Sequence, residues 1–348
     1  MASAYLLALV VGGWAAVLAV VAAAVLDMSP VPFRAGYMPL FGGDNLVLSP
    51  DGRSVRLILD RRTGSGFVSK SAYHYGYFSA SIKLPDDYTA GVVVAFYLSN
   101  GDVFPGSHDE VDFELLGNRR GHEWRVQTNV YGNGSTSRGR EERYLLPFDP
   151  TAAHHAYAVA WTPTAVVFSV DGAPIREVVR VPAMRGDFPA KPMSVYATIW
   201  DGSAWATDGG RHRVDYAYAP FAADFSRLVL RGCPPAAAAA AECQVELMTA
   251  ECAVMTPAKR AAMRRFRRRR LTYTACRDRV RYNGTAFPEC DPDGDGLAAD
   301  DFHVWGEPKR VVMPRRGGEN KQQQRQKRAD KAVDDRPSTW PMGSLRAD

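Results

Sequence analysis

Residues 108–117 read His-Asp-Glu-Val-Asp-Phe-Glu-Leu-Leu-Gly. Taken as a strand, whose side chains alternate between faces, the segment divides cleanly. Val111, Phe113 and Leu115 point one way, and Glu110, Asp112 and Glu114 point the other. Carboxylates in line on one face repel and raise one another's pKa values, which folding alone does not favour. The strand itself supports two readings. One is a solvated acidic face or an oxygen-ligand site for a hard cation. The other is cleavage of a glycosidic bond, which needs two carboxylates in different protonation states facing that bond. The surrounding elements decide between them.

Those elements are strands. From Leu46 to Phe225 the pattern is β: Val55, Leu57 and Leu59 alternate with Arg56, Ile58 and Asp60, and Val92, Val94 and Phe96 share a face. Trp124, Val126, Thr128 and Val130 oppose Arg125, Gln127, Asn129 and Tyr131, so Gln127 and Asn129 share a face. Residues 165–179 predict a hairpin about Asp171-Gly172, a strong two-residue turn signal. Short strands with Gly and Pro punctuation predict an all-β sandwich of the jelly-roll class. Beyond Phe225 the pattern changes. The alanine run 236–241 predicts a loop or short helix, and 257–270 a helix, with Pro257 in its first turn and Met263 and Phe266 on one face.

The composition fits a secreted chain. The hydrophobic fraction of 46% supports a large core, and the net charge of +5 suits an anionic polymer or acidic surroundings better than nucleic acid. Residues 5–26 are almost unbroken apolar, with the small-x-small site Ala22-Ala23-Ala24, and read as a cleaved signal (residues 1–24) in preference to a membrane anchor. Asn133 and Asn283 open glycosylation sequons. All five cysteines, at 233, 243, 252, 276 and 290, lie in the C-terminal third and allow two bridges with one thiol over. The arginines at 264, 265 and 267–270 suit acidic wall polysaccharide; a solvated helix face with some stems packed on the sheet competes. Residues 291–348 are polar and predicted disordered. Asp291, Asp293, Asp295 and Gly296 imitate a calcium loop, but Phe302 stands where its bidentate Glu is required, which leaves only weak cation binding open there; no resident metal or other cofactor is expected.

Taken with its neighbours, HDEVDFELLGN resembles the active-site strand of plant xyloglucan endotransglucosylase/hydrolases, a branch of glycoside hydrolase family 16. GSGFVSKSAYHYGYFSASIKLPDDYTAGVVVAFYLS at 65–99, QTNVYGNGS at 127–135, REER at 140–143, FDPT at 148–151 and WATDGG at 205–210 match in the same order, and the likeness runs from about residue 36 to 290. It departs at Asp208, where the family's pattern has Arg, and in a longer SNGDVFPGS connection before the acidic strand.

The resemblance implies a curved sandwich (25–225) with an open glucan cleft on its concave face, followed by a disulfide-containing extension (226–290). It implies Glu110 as nucleophile, Glu114 as general acid/base and Asp112 between them as a tuning residue. Tyr97, Gln127 and Asn129 become cleft residues, Trp200 and Trp205 line the donor side, Gly210 is a further substrate-binding residue, and Arg143, Tyr273 and Arg281 belong to the acceptor side. His108 reads as structural or pKa-tuning. Cys276 pairs with Cys290, and Cys233 with Cys243 or Cys252. The implied partners are a xyloglucan donor and a xyloglucan or oligosaccharide acceptor, handled by a monomer in the apoplast. Net glucan hydrolysis and non-catalytic sugar binding are the competing functions. Retaining chemistry wants the carboxyl groups ~5 to 5.5 Å apart, whereas strand residues four apart lie ~13 Å apart along the chain, so Glu110 and Glu114 must lean together.

Overall fold

The computed structural model describes residues 26–235, 237–279, 281–282 and 287–290. Most of the apolar N-terminal segment, the sequon at Asn283 and the tail from residue 291, with its calcium-loop imitation, lie outside the described residues. In chain order the first strands are β1 (Tyr37–Phe41), β2 (Leu46–Leu48), β3 (Ser54–Leu59), β4 (Ser65–Ser69) and β5 (Gly76–Lys83). They are followed by β6 (Val92–Ser99), β7 (Glu110–Leu116), β8 (Arg125–Tyr131) and β9 (Glu142–Leu145). Next come β10 (His155–Trp161), β11 (Ala165–Val170), β12 (Ala173–Val179), β13 (Ser194–Asp201) and β14 (Phe221–Gly232). A short turn of helix, α1 (Phe33–Gly36), precedes β1; α2 (Ala237–Thr249), α3 (Pro257–Arg270) and β15 (Leu271–Thr274) close the described chain.

The strands form two antiparallel sheets. One has eight strands in the order β1-β4-β13-β6-β7-β8-β9-β15, and the other has seven in the order β12-β11-β10-β5-β14-β3-β2. The acidic strand β7 is therefore central, and its apolar face supplies core. Phe113 meets Phe168 of β11 and Tyr157 of β10 edge-on across the sandwich, at centroid distances of 5.1 and 5.7 Å. Val111, Phe113 and Leu115 are completely buried, each stabilising the sheet by about 1.5–3 kcal/mol. Burying that face commits Glu110, Asp112 and Glu114 to the other one, because a one-residue slip would put the acids in the core. The Asp171-Gly172 hairpin forms as predicted, with φ of 47° and 74°, the left-handed pair that a tight two-residue turn requires.

The extension is built into the body. The expected boundary at 225 falls inside β14, and β15 adds an edge strand to the eight-stranded sheet beside β9. Cys233–Cys243 ties the end of β14 to α2, Cys276–Cys290 closes the loop after β15, and Cys252 is a free, half-buried thiol. Thr256 caps α3, accepting from Lys259 N at 3.2 Å. Among the described residues no helix is long and apolar enough to cross a membrane.

Candidate active site

Register decides which side chains join the acids, since directly opposed residues share a sheet face. Glu110 faces Ser99 on β6 and Tyr131 on β8; Asp112 faces Tyr97 and Asn129; Glu114 faces Ala95 and Gln127. Further out, β9 sets Arg143 opposite Gln127 and β15 sets Tyr273 opposite Arg143. On the other flank β13 sets Tyr196 opposite Tyr97 and Trp200 opposite Val93. The predicted residues on these strands thus share one face of the sheet, gathered from six adjacent strands.

The two glutamates are held differently. Tyr131 donates its hydroxyl to Glu110 Oε1 at 2.7 Å, and His108 Nε2 lies 2.9 Å from that hydroxyl and 3.8 Å from Glu110 Oε2. Gln127 Nε2 donates to Glu114 Oε2 at 2.5 Å, and Arg143 Nε donates to Gln127 Oε1 at 2.6 Å. Because its oxygen is fixed by Arg143, the Gln127 amide can present only its NH₂ to Glu114. Burial pushes the Glu114 carboxyl up to about 7, with the charges of Glu141 and Glu110 adding to the rise and Gln127 and Arg143 opposing it. Burial, with Glu110 and Glu114 on either side, holds Asp112 well above the usual carboxylate range, against a hydrogen bond from Asn129. Asp112 and Glu114 therefore hold their protons to higher pH than ordinary carboxyl groups do.

The remaining predicted residues lie further from the acids. Trp200 and Trp205 are half-buried and lie 6.1 Å apart at 42°, packed on Val93, Leu116 and Ala206. Gly210 sits at φ +85°, where a Cβ would meet Ala204 O at 2.4 Å, and its N–H donates to Thr207 O at 3.0 Å. Its contribution is to close the loop that carries Trp205. Asp208, the departure from the family's pattern, faces His212 at 3.3 Å and Arg119 at 3.9 Å. Arg281 grips Glu141 with both Nη atoms, at 2.5 and 2.7 Å.

Two expected substrate contacts have other work. Tyr273 has no exposed surface, donates to Asp278 Oδ2 at 2.9 Å and lies beneath the Arg143 guanidinium at 5.6 Å. It supports Arg143 from beneath, on the same face of the sheet. Gln127 is likewise buried and occupied between Glu114 and Arg143. Asn133 of the first sequon is exposed on the turn after β8, at φ +53°.

Sequence reasoning missed Tyr131, Glu141 and Tyr196, which stacks on Tyr97 at 5.0 Å. Tyr131 was on the right face by alternation, but its opposition to Glu110 exists only once β8 pairs with β7. It also missed Glu142, which points away from the open face into a clamp described below. Among the described residues no three His, Cys, Asp or Glu side chains are grouped to hold a metal ion.

Residues 33–218 match glycosyl hydrolases family 16, and residues 243–290 match the xyloglucan endo-transglycosylase (XET) C-terminus. The chain is 58% identical over 262 residues to probable xyloglucan endotransglucosylase/hydrolase protein 27 of Arabidopsis thaliana, covering 74% of this chain and 78% of that one. It is 53% identical over 263 residues to protein 28 of the same series and organism, covering 75% and 79%. Among solved structures it is similar to a Bacillus licheniformis β-glucanase, with a TM-score of 0.47, 22% identity and coverage of 58% of this chain and 95% of that one. Fold and site together are those of a β-sandwich glycoside hydrolase. Within that class the chain belongs to the xyloglucan endotransglucosylase/hydrolases of family 16.

Proposed function

We propose that the protein cuts the β-1,4-glucan backbone of xyloglucan and joins the new end to another xyloglucan chain or oligosaccharide, remodelling the plant cell wall. The supporting observation is the unequal treatment of two glutamates on one face. Glu114 is held protonated up to about pH 7 by burial, while Glu110 accepts a hydrogen bond from Tyr131. That difference is what acid and nucleophile require of a carboxylate pair.

In the first half-reaction Glu114 gives its proton to the leaving glucosyl oxygen as a Glu110 oxygen attacks the anomeric carbon. The glycosidic bond breaks and an ester bond to Glu110 forms. Asp112, between them and protonated more readily than an ordinary carboxyl, adds little negative charge beside the nucleophile. In the second half-reaction Glu114, now a carboxylate, takes the proton of the acceptor hydroxyl. The acceptor oxygen bonds to the anomeric carbon and Glu110 leaves. Tyr97, Asn129, Trp200 and Trp205 bind the donor, Arg143 and Arg281 frame the acceptor side, and Gln127 and Tyr273 position Glu114 and Arg143. The enzyme works as a secreted monomer in the apoplast, with the exposed arginines of α3 towards acidic wall polymer.

Incubation with xyloglucan and labelled xyloglucan oligosaccharide tests this reading. Label entering polymer is the expected result. New reducing ends without label transfer would make the protein a hydrolase, and neither product would leave a binding protein. Glu110→Ala should abolish turnover, and an active Glu110→Ala variant would overturn the nucleophile assignment.

A further inference from the structure

The row that carries Glu114 continues past the tryptophans to the edge of the sheet. Glu114 opposes Ala95, Ala95 opposes Thr198, Thr198 opposes Gly66, and Gly66 opposes Phe41 on β1. The adjacent row runs from Asp112 through Tyr97, Tyr196 and Val68 to Met38. By register, Met38 and Phe41 face the same way as the carboxylates. The register shifts between Pro39 and Phe41, and such a bulge is able to turn a side chain over. The contacts at Gly66 settle the direction. A Cβ built on Gly66 would lie 2.8 Å from Phe41 Cε1 and 2.9 Å from Thr198 Cγ2, so the Phe41 ring lies over Gly66 on the open side. The missing side chain at position 66 makes the seat for that ring.

Met38 and Phe41 are 49% and 40% exposed. Single exposed apolar residues are ordinary, but these two end adjacent rows of an acid-lined face, one with its ring seated on a glycine. On that face the residues between them and the acids are Thr198, Tyr196, Gly66, Val68, Ala95 and Tyr97, and none carries a charge. Such an uncharged lining suits a neutral polymer, and a ring with an open face suits the C–H face of a sugar. Edge strand β1 is four strands from β7, ~19 Å at the usual strand spacing and two strands beyond the Trp200 strand.

We propose that Phe41 and Met38 form a distal stacking platform for the donor glucan, several sugar units before the bond that is cut. The platform makes the enzyme prefer long donors over short ones. This rests on the xyloglucan reading above.

The test measures affinity in a Glu110→Ala background, where the donor is bound but not consumed. Calorimetry compares a xyloglucan oligosaccharide short enough to end near Trp200 with one long enough to reach β1. Phe41→Ala should reduce the long-over-short affinity ratio by about five- to tenfold, Met38→Ser should reduce it less, and Phe41→Trp should restore it. Val47→Ser, which removes an equally exposed apolar side chain from β2 of the other sheet, controls for non-specific adhesion. An unchanged ratio in Phe41→Ala, or an equal drop in Val47→Ser, overturns the platform. Absence of any xyloglucan binding or turnover by the parent protein would overturn the xyloglucan reading and the platform with it, whereas an active parent with an unchanged Phe41→Ala ratio sinks the platform alone.

Discussion

Glu114 is the residue on which the pH dependence should turn. Its carboxyl is raised to about 7, chiefly by burial, and only the protonated form can serve the leaving group. With increasing pH, kcat/KM for the donor should therefore fall through about 7. Glu114→Gln should remove that limb along with most of the activity, so a variant that keeps the same alkaline fall would show that another group causes it. Tyr131 offers a second residue-scale test. Hydrogen bonds to charged groups contribute about 1.5–3 kcal/mol, so Tyr131→Phe, which deletes only the hydroxyl held between Glu110 and His108, should lower kcat/KM by about tenfold or more. A loss below twofold would reduce the contact to a bystander. The acids themselves were legible because a strand's alternation puts 110, 112 and 114 on one face whatever the strand pairs with. The groups that differentiate them were not, since Tyr131 and Gln127 meet Glu110 and Glu114 through a pairing register that no local pattern encodes.

At the scale of elements, the junction between body and extension is held by Glu142 on β9. Its carboxylate accepts from Arg267 of α3 at 2.5 and 2.9 Å and from Thr274 of β15 at 2.9 Å, and Arg176 of β12 approaches to 3.2 Å. Tyr144 donates to it as well. Burial alone would raise this carboxyl, but Arg267 and Arg176 outweigh it and bring it down to about 2. A depressed carboxylate stabilises fully above its unfolded pKa of 4.5 and loses that contribution as pH falls from 4.5 towards 2. Stability should drop across that acid window. Glu142→Gln, which leaves buried arginines uncompensated, should cost about 3–5 kcal/mol, roughly a 10 °C drop in melting temperature. A calorimetric shift under 2 °C would contradict the clamp. The basic run illustrates how far sequence could go here. Arg267 turns inward onto Glu142, Arg270 reaches Leu146 O and Arg260 of the same helix pairs with Glu177, so part of what reads as a charged patch is fastening. Its partners lie on strands 83 to 125 residues earlier, beyond any helical periodicity.

The whole molecule reaches the site through these fastenings. Glu114 rests on Gln127, Gln127 on Arg143, and Arg143 on Tyr273 of a strand that the extension adds to the sheet. The donor flank combines β1 and β4 from the start of the chain with β13 from beyond its middle, and the acceptor flank combines β9 with β15 of the extension, so the open face exists only when these distant segments are assembled. If that assembly brings Glu110 and Glu114 within reach of one anomeric carbon, the product keeps the configuration of the bond that was cut. NMR of the first product should show the β anomer, and an α product would mean water attacking from the opposite face. The sandwich itself was legible from turn spacing and alternation. The extension's membership of the catalytic sheet was not, because the four-residue strand β15 follows the helix without any break in sequence that announces it.

The unbroken row from Phe41 to Tyr273 takes one residue from each of eight strands. Such a row tolerates change in length very unevenly. One residue inserted within any of these strands inverts every side chain beyond it, which would replace a sugar contact by a core residue and break the row there. The same insertion in a connection, such as the long one between β6 and β7, leaves all eight contributions in place. Length variation among natural or engineered forms of this enzyme should therefore collect in the connections, and new sugar specificities should be sought by lengthening those loops over a row whose spacing stays fixed.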